Sequence, residues 1–135
     1  MDGLVLSRGG VMPAEEIIQA RLTGDAELTA IVPAERIRLR GDNRGLPMPF
    51  VVHGPVVDRY EPVFDGVGRR WIGVYQVSVF AKTAAIARAA ADRIVQLLGG
   101  LRADGVNLEV TGRTWSSGRD PEFYHHVAIE LSGAS

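Results

Sequence analysis

The three histidines, His53, His125 and His126, are the side chains best suited to bind a metal ion or transfer protons near neutral pH. His125 and His126 are adjacent in a predicted strand, so their side chains point to opposite faces of a sheet and cannot share one ion without a bulge. His53 falls in a different predicted strand. The chain has no HxxxH or HExxH spacing and no cysteine, which excludes thiolate metal sites and disulfides. We therefore expect ordinary sheet histidines, no metal and no cofactor.

Nucleophile and phosphate-binding motifs are missing from the sequence as well. It contains no GxSxG, SxxK or GxxxxGK[ST] motif, and Ser116 and Ser117 lie in a predicted loop with no histidine at a recognisable spacing. The GxG fragment at residues 66–68 lies in a predicted hairpin loop rather than at a strand-to-helix turn. The acidic residues are scattered, so no carboxylate pair for hydrolysis is visible. The sequence thus shows no recognisable catalytic constellation.

Net charge and hydropathy argue against nucleic acid and membranes as partners, with local charged patches left as an alternative. Fifteen basic and sixteen acidic residues give a formal net charge of −1, so no overall positive field attracts the chain to nucleic acid or anionic lipid. All basic residues except Lys82 are arginine, which reflects either a GC-rich coding genome or the use of arginine in protein interfaces. No apolar run approaches the roughly 20 residues that span a bilayer, and the first residues lack the features of a signal peptide. We expect a soluble, unexported protein.

Aromatic and arginine residues concentrate around two predicted hairpins, and protein interfaces are enriched in these residue types. Trp71 and Trp115 have an alternative role as anchors of the core, with the arginines as solvated residues beside them. The candidate interface residues, with one acidic neighbour, are Arg59, Tyr60, Phe64, Asp65, Arg69, Arg70 and Trp71 in the first hairpin and Trp115 and Arg119 in the second.

These candidates belong to one domain, because 135 residues are enough for a single core and too few for two. Residues 1–11 have no hydrophobic period and contain a glycine pair, which predicts a flexible N-terminal arm ahead of an α+β domain over residues 12–132. A short helix is predicted from Pro13 until Gly24, followed by a further turn or two that Asp25 caps.

Alternating apolar residues predict the strands. In the first strand the side chains of Arg36, Arg38 and Arg40 share one face, which we expect to be exposed to solvent. The third strand carries apolar residues on both faces, which predicts a central strand covered at least partly on each side. The predicted strands are 36–40, 50–53 with an irregular continuation to residue 60, 71–80, 106–110 and 123–131, and the two hairpin loops span 61–68 and 116–121.

A long helix is predicted between the two hairpins. Thr83 is a suitable N-cap, and apolar residues including Ile94 occupy one half of the helix circumference as far as Leu98, with Arg88 and Asp92 on the other half as an i,i+4 pair. The resulting order is α-β-β-β-α-β-β. It predicts an α+β fold with a mainly antiparallel sheet of four to five strands and one long and one short helix packed on one face.

Several stretches of the chain, taken together, resemble a known family. These stretches are Ala14-Glu15-Glu16-Ile17-Ile18, residues 24–32, Arg36-Ile37, residues 46–52 and Val77-Ser78-Val79-Phe80-Ala81-Lys82-Thr83 with the alanine-rich helix start that follows. They are similar to the tail terminator (tail completion, head-to-tail joining) proteins of long-tailed bacteriophages and gene transfer agents, over about residues 12–131. The matching residues encode core and turn positions, so the resemblance brings no catalytic residues with it.

The resemblance implies a structural virion protein, made in the bacterial cytoplasm, whose copies form a ring, usually a hexamer, at the head-proximal end of the tail tube. The ring would end tube polymerisation and provide the docking surface for the head connector. The implied partners are the protein itself, the tail tube protein and the head-tail connector (stopper) protein, with no enzyme activity, cofactor or membrane contact. DNA would pass through the ring without specific binding, which suits a chain of nearly balanced charge.

A closed ring requires a head-to-tail contact between two different patches on each subunit. We expect the hairpin of residues 58–71 and the loop of residues 115–121 to make subunit or axial contacts, and the N-terminal arm to become ordered on assembly. Two other classes remain open. A small α+β interaction module of another family would share the core pattern without forming a ring, and a small histidine-dependent enzyme would need the fold to bring distant carboxylates to a histidine.

Overall fold

The computed structural model of the protein describes residues 13–41, 45–62, 69–119 and 122–134. The predicted N-terminal arm and the tip of the first hairpin lie outside these ranges. Within these ranges, no helix combines the length and the hydropathy that a bilayer-spanning segment requires.

Three α-helices and one short 3₁₀ turn occur in the described part of the chain. Asp25 begins the second helix, because its carboxylate accepts a hydrogen bond of 2.9 Å from the Leu28 amide. Thr83 begins the third helix in the same way, with its hydroxyl 3.2 Å from the Ile86 amide nitrogen, as the sequence predicted. The helices are α1 (Pro13–Thr23), α2 (Ala26–Ile31) and α3 (Ala84–Leu98), and the 3₁₀ turn is Ala34–Arg36.

The strands of the described residues form one sheet of six, in the order β1-β2-β3-β6-β5-β4. β1 and β2 are parallel and all other neighbours are antiparallel, so the predicted α+β fold with a mainly antiparallel sheet is confirmed. The sheet has one strand more than predicted, because two residues after α3 pair with the start of the next strand. The strands are β1 (Ile37–Leu39), β2 (Phe50–Pro62), β3 (Arg69–Ala81), β4 (Arg102–Ala103), β5 (Val106–Arg119) and β6 (Phe123–Ala134).

A single core lies between the three helices and one face of the sheet. Every second residue of β3 from Trp71 to Ala81 is buried on this face, as the period of two predicted. Ile94 of α3 is fully buried, which confirms the predicted apolar side of that helix. The small buried side chains that let α3 approach the sheet closely are Ala87, Ala90 and Ala91.

Two local predictions are wrong. Asp92 does not pair with Arg88 along the helix, because β5 runs beside α3 and its Arg113 lies 2.6 Å from the Asp92 carboxylate. The loop predicted over residues 116–121 is strand as far as Arg119, since its backbone pairs with β6 up to the partner residue Phe123. This part of the strand was not predicted because it contains serine and glycine, and neither residue has a high strand propensity.

The first predicted strand is shorter than expected and does not keep its alternation. Ile37 is buried, but Leu39, which should share its face, is 42% exposed. The arginines beside it are not simply solvated, because the guanidiniums of Arg36, Arg38 and Arg40 donate to backbone carbonyl oxygens of Met48, Glu35 and Gly54, respectively.

Candidate interaction surfaces

His53 lies in a buried hydrogen-bond network that joins β2, β3 and α1. The Gln19 side-chain amide donates to the Ile37 carbonyl oxygen at 2.9 Å, so its Oε1 faces His53 and accepts from Nε2 at 2.6 Å. The network therefore assigns the imidazole a neutral form with its proton on Nε2, and Nδ1 accepts from the Tyr75 hydroxyl at 2.7 Å.

Burial lowers the pKa of His53 to about 4, so the side chain is neutral across the physiological range. Burial also raises the pKa of Tyr75, with the nearby Glu15 carboxylate as a further cause. Both ring nitrogens of His53 are occupied by protein partners and the side chain has no exposed surface. The group is thus placed to stabilise the core rather than to reach a substrate.

The two adjacent histidines point to opposite faces of the sheet, as expected. His125 contacts the Phe123 ring edge to face on the helix-covered side, whereas His126 stacks on Phe80 of β3 on the other side, with centroids 4.3 Å apart. Burial lowers the pKa of His126, and its Nδ1 lies 3.2 Å from the Ser116 hydroxyl. Across the described ranges, no group of three or more His, Cys, Asp or Glu side chains is arranged to hold a metal ion.

A cluster of aromatic and arginine side chains lies beside α3, where β5 and β6 form their hairpin. The Arg88 and Arg113 guanidinium carbons lie 4.9 Å and 5.3 Å from the Trp115 ring centroid, and Arg119 lies 5.7 Å from that of Phe123. The two aromatic rings remain 45% and 44% exposed, respectively. We call these five residues the Trp115 surface.

A second cluster lies where α1 begins, beside the distal half of β2. Burial raises the pKa of Glu15, and the carboxylates of Asp58 and Glu16 contribute further, in that order. Burial and the carboxylates of Asp58 and Glu15 likewise raise the pKa of Tyr60, whose side chain is 49% exposed. We call these four residues the Tyr60 surface.

The structure removes Trp71 from the candidate interface. Its ring is only 3% exposed, and its indole nitrogen donates to the Asp58 carboxylate at 2.7 Å, so it serves as the core anchor that the sequence offered as the alternative. The ring fits because Gly73, two residues further along β3, and its β6 partner Gly133 have no side chain.

The other candidates have different fates. Tyr60, Trp115 and Arg119 are exposed and belong to the two surfaces, and Arg59 is exposed and lies 3.5 Å from the carboxylate of Glu61. Phe64 and Asp65 lie outside the described residues, and Arg69 and Arg70 form the first two positions of β3.

Sequence reasoning missed several surface residues. Arg113 and Trp115 are two apart in β5, so a period of two carried to the end of that strand would have placed them on one face. Arg88 was considered only for its helix neighbour, and Glu15 and Glu16 only as part of a stretch that resembles the family. An aromatic row on the sheet face opposite the helices was also missed, and it comprises Phe50, Phe80, Tyr124 and His126.

The two surfaces lie at diagonally opposite corners of the sheet. β3 and β6 separate β2 from β5, which corresponds to about 14 Å across the strands. Tyr60 pairs with Trp71 of β3, and Trp115 pairs with Val127 of β6, which in turn pairs with Val79 of β3. Trp71 and Val79 are eight residues apart, so the two surfaces are displaced by about 26 Å along the strands. Among the described residues, no strand pairs with the outer edge of β2 from Val56 onward or of β5 beyond Leu108.

Comparison with known proteins gives a match along most of the chain. The family model of the tail completion protein gp17 matches residues 16–129. Among solved structures, a chain in the virion of a native gene transfer agent (GTA) particle is similar, with 18% sequence identity and a TM-score of 0.66. This similarity covers 87% of the present chain and 90% of that chain, and shows a shared fold. No curated protein matches the sequence.

Proposed function

This chain belongs to the family of the tail completion protein gp17, and from that premise we propose that its copies close into a ring of six at the head-proximal end of a tail tube. As a family member it is a structural component of a phage-type tail. In the proposed role the ring ends polymerisation of the tube and provides the surface on which the head connector docks. The match over residues 16–129 carries this proposal, because it includes the first hairpin, the second hairpin as far as Ile129 and all three helices except the first turn of α1.

The placement of exposed side chains supports a ring. A closed ring of identical subunits uses two different patches on each copy. The Trp115 and Tyr60 surfaces are two such patches, and each combines a half-exposed aromatic ring with charged groups. The hairpins that carry them turn at opposite ends of the sheet, which makes both available for subunit or axial contacts.

The nearly balanced charge of the chain supports a ring through which DNA passes without being bound tightly. The formal net charge is −1, and three of the described arginine side chains are held by backbone carbonyl oxygens beside β1. A ring with this balance releases few counterions from DNA and binds it weakly. In the proposed role the tail tube protein, the connector and further copies of this chain are the partners, and synthesis takes place in the bacterial cytoplasm before assembly into the virion tail.

Electron microscopy of tails assembled with and without this protein tests the role. Without it, we expect tubes that are longer than normal or that lack heads, because nothing stops subunit addition or receives the connector. Adding back the intact chain should restore tube length and head attachment. Tails of normal length joined to heads in the absence of the protein would refute the proposal.

A further inference from the structure

We propose that the Trp115 surface of one copy binds the Tyr60 surface of the next copy, and that this contact closes the ring. The inference rests on the proposed function, because it assigns the two patches that the ring requires. It commits the two surfaces to contacts between subunits rather than to contacts with the tube or the connector.

The geometry allows this contact only between copies. The two surfaces of one chain are about 30 Å apart along the diagonal of the sheet, with β3 and β6 between them. A chain therefore cannot join its own Trp115 and Tyr60 surfaces. Each copy offers one of each, so every contact repeats the same head-to-tail geometry, which is the condition for a ring.

The charges of the two surfaces are complementary. The Trp115 surface contains the guanidiniums of Arg88, Arg113 and Arg119, and its neighbour Asp92 offsets one of these charges. Complementary potentials of this kind select the partner and fix the register of a protein contact.

The Tyr60 surface contains three carboxylates, those of Glu15, Glu16 and Asp58. Asp58 accepts a hydrogen bond from the indole nitrogen of Trp71. This donor is neutral, so the contact does not neutralise the negative charge of the Asp58 carboxylate. The ion pair of Arg59 with Glu61 lies on the opposite face of β2, because these residues alternate with Asp58 and Tyr60.

Aromatic rings at the centre of each surface supply area to bury. Trp115, Phe123 and Tyr60 are all close to half exposed, and tryptophan, tyrosine and arginine dominate the energetically important positions of interfaces. Arg88 and Arg113 already lie over the Trp115 ring before any contact forms. Less side-chain freedom is then lost on binding.

Two charge-reversed proteins test the pairing. The first is Arg88→Glu with Arg119→Glu, which makes the Trp115 surface acidic, and the second is Glu15→Lys with Glu16→Lys, which makes the Tyr60 surface basic. Each is added separately to tubes formed from the tail tube protein of the same particle, and capped ends are counted by electron microscopy. We expect each to need at least about tenfold more protein than the wild type to cap the tubes, because like charges then meet at every contact.

An equimolar mixture of the two variants is expected to recover capping. When the variants alternate around a ring, each contact again joins an acidic surface to a basic one, and a ring of six accommodates that alternation. Arg102→Glu, an exposed site on β4, is the matched control and is expected to cap like the wild type. Thermal unfolding confirms that each variant is folded. Should Glu15→Lys impair folding, the exposed Glu16→Lys alone replaces the second variant.

The outcomes separate the two proposals. Single variants that cap tubes as well as the wild type, or a mixture that fails as the single variants do, would overturn the surface pairing while leaving tube termination intact. Wild-type protein that does not cap tubes would overturn the proposed function, and the pairing with it.

Discussion

Lowering the pH from 7 to 5 is expected to destabilise the fold through His53. Burial lowers the pKa of this side chain to about 4 in the folded protein, whereas an exposed histidine in the unfolded chain has a pKa of about 6.5. As the pH falls below 6.5, the unfolded chain therefore takes up a proton that the folded protein does not. The stabilisation is complete above pH 6.5 and is lost progressively as the pH approaches 4.

The size of this effect follows from the separation of the two pKa values. Each pKa unit corresponds to about 1.4 kcal/mol, so a separation of about 2.5 gives a total loss of roughly 3 kcal/mol. About 2 kcal/mol of this is lost between pH 7 and pH 5. Below that range Asp25 also contributes: its pKa is lowered to about 2, first by its hydrogen bond from Arg93, so its stabilisation is lost as the pH falls further.

Urea unfolding at pH 7, 6 and 5, followed by tryptophan fluorescence, measures the free energy of unfolding at each pH. His53→Gln is expected to be less stable than the wild type at pH 7 but to lose much less stability on acidification. His125→Gln is the matched control on the sheet and is expected to keep the wild-type dependence. An unchanged pH dependence in His53→Gln would refute the assignment of a buried neutral imidazole.

Two further pairs of substitutions test the buried face and the close packing of the sheet. Ile94→Asp places a charge in the core and is expected to unfold the domain. Arg88→Ala should cost no more than about 1 kcal/mol of stability, since it removes one exposed cation–π contact. Equal losses of stability in thermal melts would mean that the wrong side of α3 has been taken as buried. Gly73→Ala is expected to destabilise the fold by more than about 2 kcal/mol, because its methyl group would overlap the Val57 carbonyl oxygen. Gly112→Ala places its methyl group in open space and should leave the stability unchanged. Similar melting temperatures for the two variants would contradict the close packing at Gly73.

The two elements with the clearest periodicity were predicted correctly from sequence. β3 and α3 bury the residues that periods of two and 3.6 place on one side, because burial of apolar side chains dominates folding and repeats at the spacing of the backbone. Thr83 and Asp25 were recognisable as caps for a similar reason, since each satisfies backbone amides only a few residues away.

Residue type alone did not predict which of the two tryptophans is buried. Trp71 and Trp115 both lie in predicted hairpins rich in arginine, yet one is buried and the other half exposed. The difference comes from partners distant in sequence. Asp58 accepts a hydrogen bond from the first ring and Gly133 leaves room for it, whereas the second ring projects beside α3, where no further element covers it among the described residues.

Patterns along the chain predicted most of the helices and strands, the lack of a recognisable catalytic motif and the resemblance to tail completion proteins, because these depend on neighbouring residues and on spacing along the chain. The strand order, the length of β5 and the grouping of Glu15 with Asp58 and of Arg88 with Trp115 became evident only from the three-dimensional structure. Such groupings depend on strand register and on which elements pack together. A pattern of neighbouring residues does not encode either of these.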